Sequence, residues 1–458
     1  MRYFIAFLFF ILPAFSANWY VRKGATGSNN GTNWTNAWNE MSSINFSSVA
    51  CGDTIWLAGG TYTTALSVNK SCTSSTVLKI NRVLSTDSVP TAAAGWASSY
   101  DSQVIISNNG INLAGGAYYT INGRVGSVAS NNFGISVKCT SGSGGCDAID
   151  GAGSGNLSNI TLTYLELFGP SCVMAENCGG GGASGLNVAP SNNSVTSLLV
   201  DHCWIHQWGE LIRTSNWKNC IIQYTSLSDT HNDGQQHEDV VYNYAQTNFT
   251  MRYNSIWGTP NDGIFFDFGG TVGFYFYGNV YFHTGGEFIV FKPGYTNATN
   301  IYIYNNVFES DGWGDYSPGW LDFTGAANSG EVANNVFENV DNTGTPPNGN
   351  HNAYSLSGTS DGGSGSFYYS PGKLGASVDF LNEDPSVPDN GLANFHLTAA
   401  GATAFANGKT LAAPYNVDID GNTRGASGSW TIGAYQYVSG TTSPTAPNPP
   451  TGLTVVVH

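Results

Sequence analysis

A nine-residue pattern of apolar and polar positions recurs seven times in the middle of the chain. Its copies begin 22 to 38 residues apart and occupy residues 160–168, 198–206, 220–228, 249–257, 274–282, 301–309 and 330–338. Later copies read FYFYGNVYF, IYIYNNVFE and GEVANNVFE. Short β-rich runs that repeat at this spacing and are separated by Gly and Asn are typical of a solenoid. The pattern therefore predicts an all-β parallel β-helix of roughly ten coils.

Two columns of the aligned repeat predict which side chains face the core. The eighth position is always apolar: Leu167, Ile205, Leu227, Ile256, Tyr281, Phe308 and Phe337. The sixth position is asparagine in four consecutive copies: Asn254, Asn279, Asn306 and Asn335. We expect the apolar column to stack inward. Stacked Asn amides hydrogen-bond along a ladder, so the asparagines are interpreted as structural rather than catalytic.

An apolar stripe precedes the repeats near the N-terminus. It consists of Trp34, Ala37, Trp38, Met41 and Ile44. This spacing predicts an amphipathic helix of about three turns, with Asn33 as its N-cap. A helix at this place is expected to cap the open end of the solenoid core, although an ordinary surface helix would use the same stripe.

The two ends of the chain differ in composition from the middle. A positive start and an apolar run to Phe15, too short to span a bilayer, predict a signal peptide over residues 1–16 and an exported, soluble protein. We expect the N-terminal cap and first coils over 17–98, the parallel β-helix over 99–438, and a Pro/Thr/Ser-rich linker and tail over 439–458. The stretch from DGNTRG to IGAYQY is expected to form a last coil and a closing strand.

Charge and cysteine content narrow the possible partners. The formal net charge of −16 argues against nucleic acid and against long-range attraction of a polyanion.

An even number of cysteines in an exported chain predicts disulfides, with other connectivities left open. The simplest pairing joins sequence neighbours: Cys51–Cys72, Cys139–Cys146, Cys172–Cys178 and Cys203–Cys220. The oligomeric state is left open.

Acidic residues recur in the strands that follow the repeat. Aligning GELIR, EDVVY, DGIFF, GEFIV and GWLDF by their apolar cores places Glu210, Asp239 and Glu287 in one column, and Glu238 and Asp262 in the next. Strands lie about 4.8 Å apart. Carboxylates on adjacent coils would thus be about 5 Å apart, and those two coils apart about 10 Å, which brackets the separations in retaining and inverting glycosidases. A solvated rim of acids is the alternative.

The most polar stretch, SDTHNDGQQHEDVVYN, lengthens its coil at residues 228–243. Long loops on a rigid scaffold often carry binding groups, and histidine works as an acid or base near neutral pH. The predicted catalytic residues are Glu238, Asp239, Asp262 and Glu287, with His237 as the alternative base. A calcium ion, if the protein uses a cofactor at all, would bind Asp233, Glu238 and Asp239.

Basic and aromatic residues supply the candidates for substrate binding. Cations are scarce in the repeats, and Arg213 and Lys292 are the ones placed to neutralise a uronate carboxylate, a task that calcium can share. Trp313 and Tyr316 lie in the loop ESDGWGDYSPGW, where exposed rings can stack on sugars. His231 in the polar stretch completes this predicted binding set.

Three blocks of sequence resemble the secreted bacterial proteins of the pectate-lyase-like superfamily. They are YVRKGATGSNNGTNWTNAW with CGDTIWLAGGTYTT, the NNVF-type repeat, and the segment from DGNTRG to IGAYQY. The resemblance implies a right-handed parallel β-helix, an extracellular or cell-surface location, and a superfamily of polysaccharide lyases, glycoside hydrolases and non-catalytic adhesins. The paired-Asp signature of polygalacturonases is not evident, and GGEFIVFK only faintly echoes the chondroitinase-B-like lyases.

Two functions follow as expectations. The first is cleavage of a polysaccharide by a lyase or a glycoside hydrolase. The second is a non-catalytic surface, adhesive or glycan-binding β-helix. Convergence of Glu238, Asp239, Asp262 and Glu287 in one groove would favour the enzyme.

Overall fold

The computed structural model describes residues 16–124, 133–139, 146–170, 183–230, 239–260, 262–294, 297–311, 318–327, 329–356, 363–368, 380–382, 394–428 and 430–438. The predicted signal peptide up to residue 15 and the predicted tail from residue 439 lie outside these ranges.

Short strands dominate the described residues. The first ten are β1 (Asn18–Val21), β2 (Thr54–Leu57), β3 (Gly60–Tyr62), β4 (Leu66–Val68), β5 (Leu78–Arg82), β6 (Val104–Ser107), β7 (Ile111–Leu113), β8 (Gly116–Asn122), β9 (Ile135–Lys138) and β10 (Ile149–Asp150). The next nine are β11 (Leu157–Thr163), β12 (Leu165–Phe168), β13 (Ser184–Val188), β14 (Val195–Asp201), β15 (Trp204–His206), β16 (Glu210–Thr214), β17 (Trp217–Lys218), β18 (Ile221–Gln223) and β19 (Ser226–Ser228).

The strands of the second half are longer at first and then shorten. They are β20 (Val241–Arg252), β21 (Ser255–Thr259), β22 (Ile264–Tyr277), β23 (Val280–Thr284), β24 (Glu287–Phe291), β25 (Thr299–Tyr304), β26 (Val307–Glu309), β27 (Gly319–Asp322), β28 (Gly330–Ala333), β29 (Val336–Glu338), β30 (Val340–Thr343), β31 (Ala353–Tyr354), β32 (Phe367–Tyr368), β33 (Phe380–Asn382) and β34 (Asn394–Leu397). The helices are α1 (Ser88–Thr91), α2 (Ala399–Ala404) and two 3₁₀ turns, Met41–Ser43 and Ser98–Tyr100. None of the described helices has the length and hydropathy needed to cross a membrane.

The strands form two long parallel sheets that wind around one core. Sheet 1 has twenty strands and sheet 2 has twelve, from β3 to β32, and a small antiparallel pair joins β33 to β34. In the middle of the molecule each coil runs through sheet 1, then sheet 2, then sheet 1 again; β14, β15 and β16 are one such coil. The parallel β-helix is therefore confirmed. Its right-handedness stays a prediction, in line with the strong preference of parallel crossovers.

The register of the repeated strands agrees with the sequence alignment. Among the paired residues are Ile160 with Leu198, Phe249 with Phe274, and Ile301 with Gly330. The eighth-column side chains, from Leu167 to Phe337, are all at most 3% exposed. Their stacking inside the coils forms the main core of the solenoid.

The predicted asparagine ladder is present and is longer than expected. The side-chain oxygen of Asn279 accepts a hydrogen bond from the backbone N–H of Asn254 at 2.9 Å, and Asn306 and Asn335 repeat this contact at 2.8 and 3.0 Å. Asn352 extends the ladder, because its oxygen accepts from the N–H of Asn335 at 2.9 Å. These buried turns are thus held by side-chain amides.

The predicted N-terminal capping helix is wrong as an α-helix. Residues 34–40 form turns and a single bridge between Trp38 and Val21, and only Met41–Ser43 makes a 3₁₀ turn. Asn33 accepts from the N–H of Asn36 at 2.9 Å, and such local bonds from asparagine compete with a helix. Trp38 nevertheless packs on the core, as the apolar stripe predicted.

Two of the predicted disulfides are present. Cys51 bonds to Cys72 and Cys139 to Cys146, whereas Cys172 and Cys178 lie outside the described residues. The predicted Cys203–Cys220 pair is wrong, since both are free and buried. The two cysteines occupy different columns: the carbonyl of Cys203 accepts from Ser226, and that of Cys220 accepts from Thr250.

The C-terminal region does not form the expected last coil. The described residues of 394–437, here called the C-terminal clamp, instead pack on the outer side of sheet 2 and bury a second apolar cluster. Tyr415 contacts Tyr277 and Tyr304, with ring centroids 4.9 and 4.7 Å apart. The side chain of Asn334 bonds both the N–H and the carbonyl of Lys409. These polar contacts fix the clamp to the corner of the coils.

Candidate functional site

Four carboxylic acids lie in one column on successive coils, immediately before or at the start of the third strand of each coil. The pairs Ile212–Val241, Val241–Ile264 and Ile264–Ile289 set this register. Counting back along each strand brings the acids opposite one another. We call Glu210, Asp239, Asp262 and Glu287 the acid file.

The sequence alignment of DGIFF differs by one residue from the observed strand pairing, in which Val241 rather than Val240 is opposite Ile264. It had placed Asp262 beside Glu238, in the column next to the file. In the structure the carbonyl of Gly263 accepts from the N–H groups of both Val240 and Val241, at 2.9 and 3.2 Å. Asp262 is close enough to Asp239 and Glu287 for its charge to raise the pKa of both.

The acids differ in how far they reach solvent. Glu210 is 1% exposed and Asp239 is fully buried, whereas Asp262 and Glu287 are partly exposed. Neither carboxyl oxygen of Asp239 has a hydrogen-bond partner among the described residues. Burial first, and then the charges of Asp262 and Glu210, raise the pKa of Asp239 well above its usual value. A carboxyl in this setting favours its protonated form.

Glu287 is the member of the file that titrates near neutrality. Burial and the neighbouring Asp262 raise the pKa of Glu287 to about 7. The indole N–H of Trp320 donates to its Oε1 at 2.9 Å and opposes the rise. A side-chain hydrogen bond with Asp262 adds a smaller rise to the pKa of Glu287.

The column continues beyond the file toward the N-terminus. Ser184 pairs with Glu210, and Asp147 lies one coil earlier, where it accepts from the N–H of Ser184 at 2.7 Å and from Asn187 at 2.9 Å. Burial raises the pKa of Asp147. Sequence reasoning missed Asp147 because its coil lies before the recognised repeats, although column periodicity extended backward would have found it.

Both predicted basic residues are near the file, and both already contact an acid. Arg213 Nη1 is 3.7 Å from Glu210 Oε2, and the guanidinium lies over the Tyr242 ring at 5.5 Å. Lys292 Nζ is 2.5 Å from Asp267 Oδ1. The positive charge of the site is therefore largely balanced before any ligand arrives.

Asp267 is an extra residue in its strand. The pairing of β20 with β22 shifts between Asn243 and Tyr244, which face Phe266 and Phe268 and leave Asp267 opposite no residue. The hydroxyl of Tyr242 donates to Asp267 Oδ2 at 2.5 Å. Bulges of this kind re-aim side chains and are frequent beside active sites.

Six of the predicted site residues lie outside the described residues: His231, Asp233, His237, Glu238, Trp313 and Tyr316. Two described histidines lie four residues before members of the file: the buried His206 before Glu210, and His283 before Glu287. His283 lies in β23 and contacts Asp311 Oδ2 through Nδ1 at 2.5 Å. In the sequence, its position four residues before an acid of the file was the signal that could have identified it.

The described residues offer no calcium cage. No group of three or more His, Cys, Asp or Glu side chains within them is arranged to hold a metal ion. The described acid among the predicted ligands, Asp239, is fully buried. We therefore derive no step through calcium.

The chain matches no family model and no curated protein. Solved structures of similar shape include a rhamnogalacturonan lyase, at 12% identity and a TM-score of 0.43, over 70% of this chain and 87% of that one. The pectate lyase Pel9A, at 13% and 0.46, and XylC with xylose, at 10% and 0.49, each cover 92% of this chain and 98% of their own. Because these likenesses are weak, a reaction has to follow from the side chains.

Proposed function

We propose that this protein hydrolyses glycosidic bonds of a polysaccharide, with Glu287 and Asp262 as its reacting carboxyl groups. The observation that carries the proposal is the acid file itself. Charged residues make up 10% of the chain, yet four acids share one column. Buried, mutually repelling carboxyls cost stability, and such clusters are more common at functional sites than elsewhere.

The two partly exposed acids have complementary roles in this proposal. Glu287, with its pKa near 7, donates a proton to the glycosidic oxygen as the C–O bond breaks. Asp262 on the adjacent coil, whose side chain hydrogen-bonds Glu287, attacks the anomeric carbon or stabilises its positive charge. Water then completes hydrolysis, with Glu287 recovering the proton. Direct attack by Asp262 would give retention of configuration.

The pairing of the cations favours a hydrolase over a uronate lyase. A lyase needs positive charge to neutralise the substrate carboxylate and a base to remove a proton. Here Arg213 and Lys292 are each next to an acid, and the file adds further negative charge. An anionic sugar would be repelled at this site.

We also propose that the protein acts outside the cell. Two disulfides are consistent with an oxidising, extracellular location. Together with the signal peptide expected over 1–16, they support export to a place where polysaccharides are found. We propose residues 17–98 as the cap and first coils and residues 439–458 as the tail, with the C-terminal clamp between the coils and the tail.

The test is a screen of the purified protein on neutral and anionic polysaccharides. We expect new reducing ends without ultraviolet-absorbing unsaturated products, and a rate that declines as the pH rises above about 7 because Glu287 loses its proton. Glu287→Gln and Asp262→Asn should each lower the rate by about 100-fold or more.

A matched control is available in the same column. Asp341 is exposed and pairs with Trp320, which in turn pairs with Glu287. Asp341→Asn should keep the parent rate. Unsaturated products would make the protein a lyase, and full activity in both Glu287→Gln and Asp262→Asn would remove the acid file from the mechanism. Glycan binding without any cleavage would favour the non-catalytic alternative.

A further inference from the structure

Four aromatic side chains lie on the outer face of β20 and β22, on the same two coils as Asp239 and Asp262. They are Tyr242, Tyr244, Phe265 and Phe268, here called the aromatic patch. Tyr242 is parallel to Phe265, with centroids 6.1 Å apart and planes at 8°. Tyr244 is parallel to Phe268 at 5.7 Å and 8°. The two pairs therefore form one continuous aromatic cluster, in which Tyr242 and Phe265 are buried.

The patch is exposed at one end. Phe268 is 44% exposed, which is unusual for a large apolar side chain in the described residues. The bulge at Asp267 keeps Phe268 on the outer face, paired with Tyr244 rather than turned into the core. Because Phe268 stacks on Tyr244, the exposed ring extends the buried part of the patch to the surface.

The charges around the patch are balanced. Lys292 lies 5.5 Å from the ring centroids of both Phe265 and Phe268 and is paired with Asp267. At the other end Arg213 lies over Tyr242 and near Glu210. A surface of aromatic faces with polar groups at its borders and no large excess of positive charge suits an uncharged, amphipathic ligand.

The patch is also continuous with the acid file. Arg213 connects the two, since its guanidinium lies over the Tyr242 ring at 5.5 Å and its Nη1 lies 3.7 Å from Glu210 Oε2. Along the chain, Tyr242 follows Asp239 by three residues. At about 3.3 Å per residue this is about 10 Å along the strand. A ligand a few sugar units long would contact both places at once.

From these observations we infer that the aromatic patch is a sugar-binding subsite for an uncharged polysaccharide, with Phe268 and Tyr244 stacking on the sugar rings. This inference rests on the proposed function, because it assigns the patch to the same substrate. Arg213 and Lys292 donate hydrogen bonds to sugar hydroxyls there, rather than neutralising a carboxylate.

Native-gel affinity electrophoresis of the full chain tests the inference. The gels contain galactomannan, xyloglucan, arabinoxylan, polygalacturonate or alginate. We expect at least one neutral polymer to retard the protein and the two anionic polymers not to. Phe268→Ala and Tyr244→Ala should each weaken the retardation about tenfold, since a stacked ring is lost.

Two variants separate this inference from the proposed reaction. Val272→Ala on the same strand removes an apolar side chain that is also 44% exposed, and it should bind as the parent does. Glu287→Gln should bind as well as the parent while losing cleavage. Cleavage that is unchanged in Phe268→Ala would overturn the subsite and leave the acid file intact. Retardation that depends on Phe268 in a parent without activity would do the reverse.

Three further results contradict the inference. They are the absence of retardation by any of the three neutral polymers, a Phe268-dependent retardation by polygalacturonate or alginate, and a parent dimer that Phe268→Ala disrupts. The last result would identify a second copy of the chain as the occupant of the patch.

Discussion

Asp239 shows most clearly how a single side chain of the acid file affects the protein. It is fully buried, and its pKa is raised well above the usual 3.8 by burial and by neighbouring acids. The pKa of Glu287 rises in the same direction, from 4.5 to about 7. Both groups therefore bind a proton more tightly in the folded state than in the unfolded state.

This linkage has a definite sign. Between the unfolded and folded pKa values the folded protein holds the extra proton, so the free energy of unfolding falls as pH rises. The contribution is fully present below the unfolded value and is lost as pH rises through the folded value. For Glu287 this window runs from 4.5 to about 7. Through the protonation of Asp239 and Glu287, the protein should be more stable in mild acid than at pH 8.

Asp239→Asn should raise the melting temperature at pH 8 by a few degrees and flatten its decline between pH 5 and pH 8. The amide has a similar shape and carries no charge at any pH, so the penalty of ionising a buried carboxyl disappears. Thermal unfolding of parent and variant across this range measures the effect. Asp341→Asn should follow the parent curve, and a variant less stable than the parent at pH 8 would contradict the assignment of burial as the cause.

The membership of the file was predictable in part. Column reasoning placed Glu210, Asp239 and Glu287 together, because acids are rare in this chain and recur at equivalent positions. It paired Val240 rather than Val241 with Ile264, because the pattern of apolar residues does not show that the Gly263 carbonyl accepts from both. The burial of Asp239 could not be predicted either, since an aspartate in a sequence is normally expected to face solvent.

At the scale of elements, the asparagine ladder connects one coil to the next. Asn306 is fully buried and uses its whole side chain. Its oxygen accepts from the backbone and side-chain N–H groups of Asn279, and its Nδ2 donates to the Phe276 carbonyl at 2.9 Å and to Asn335 at 2.9 Å. Each rung of the ladder thus satisfies backbone groups that the turn leaves unpaired.

Asn306→Ala should lower the free energy of unfolding by about 3 kcal/mol or more, because several buried polar groups lose their partners at about 1–3 kcal/mol each. Chemical denaturation measures this change. Asn112→Ala is the matched control: Asn112 lies in β7 and makes a single, more exposed hydrogen bond to Ser67 at 3.4 Å. A loss at Asn306 no larger than the one at Asn112 would show that the ladder contributes little.

Elements with a strict column pattern were predictable, and those without one were not. The seven repeat strands aligned correctly because each carries both an inward apolar residue and a turn residue at fixed positions. The N-terminal stripe was misread, since the spacing of Trp34, Trp38 and Met41 fits a helix and also fits a series of turns closed by the bridge at Trp38. Periodicity reports which residues are buried more reliably than which backbone buries them.

At the scale of the whole molecule, the C-terminal clamp adds a second layer to part of the solenoid. Trp257, Phe282 and Val307 point outward from sheet 2 and are buried under the clamp in the second apolar cluster. From the clamp side Phe395, Phe405 and Ile432 are at most 3% exposed. The clamp was not predicted, because its sequence carries the same short strands and glycines as a coil. The outward aromatic residues of sheet 2 were the available sign that something covers them.

A chain that ends at residue 393 should therefore unfold at a lower temperature and aggregate, while a chain that ends at Val438 should behave as the parent does. Removing the clamp exposes a contiguous apolar face, and each large buried side chain contributes roughly 1.5–3 kcal/mol. The segment after residue 438 begins with a Thr/Ser/Pro-rich composition that is typical of a linker. Thermal unfolding and light scattering of the two truncated chains test this directly. If the chain ending at 393 keeps the parent melting temperature, the coils are stable alone and the clamp does not contribute to their stability.

A milder variant, Tyr415→Ala, removes the contacts with Tyr277 and Tyr304. It should reproduce part of the loss, because the cluster is one connected layer rather than a set of separate contacts.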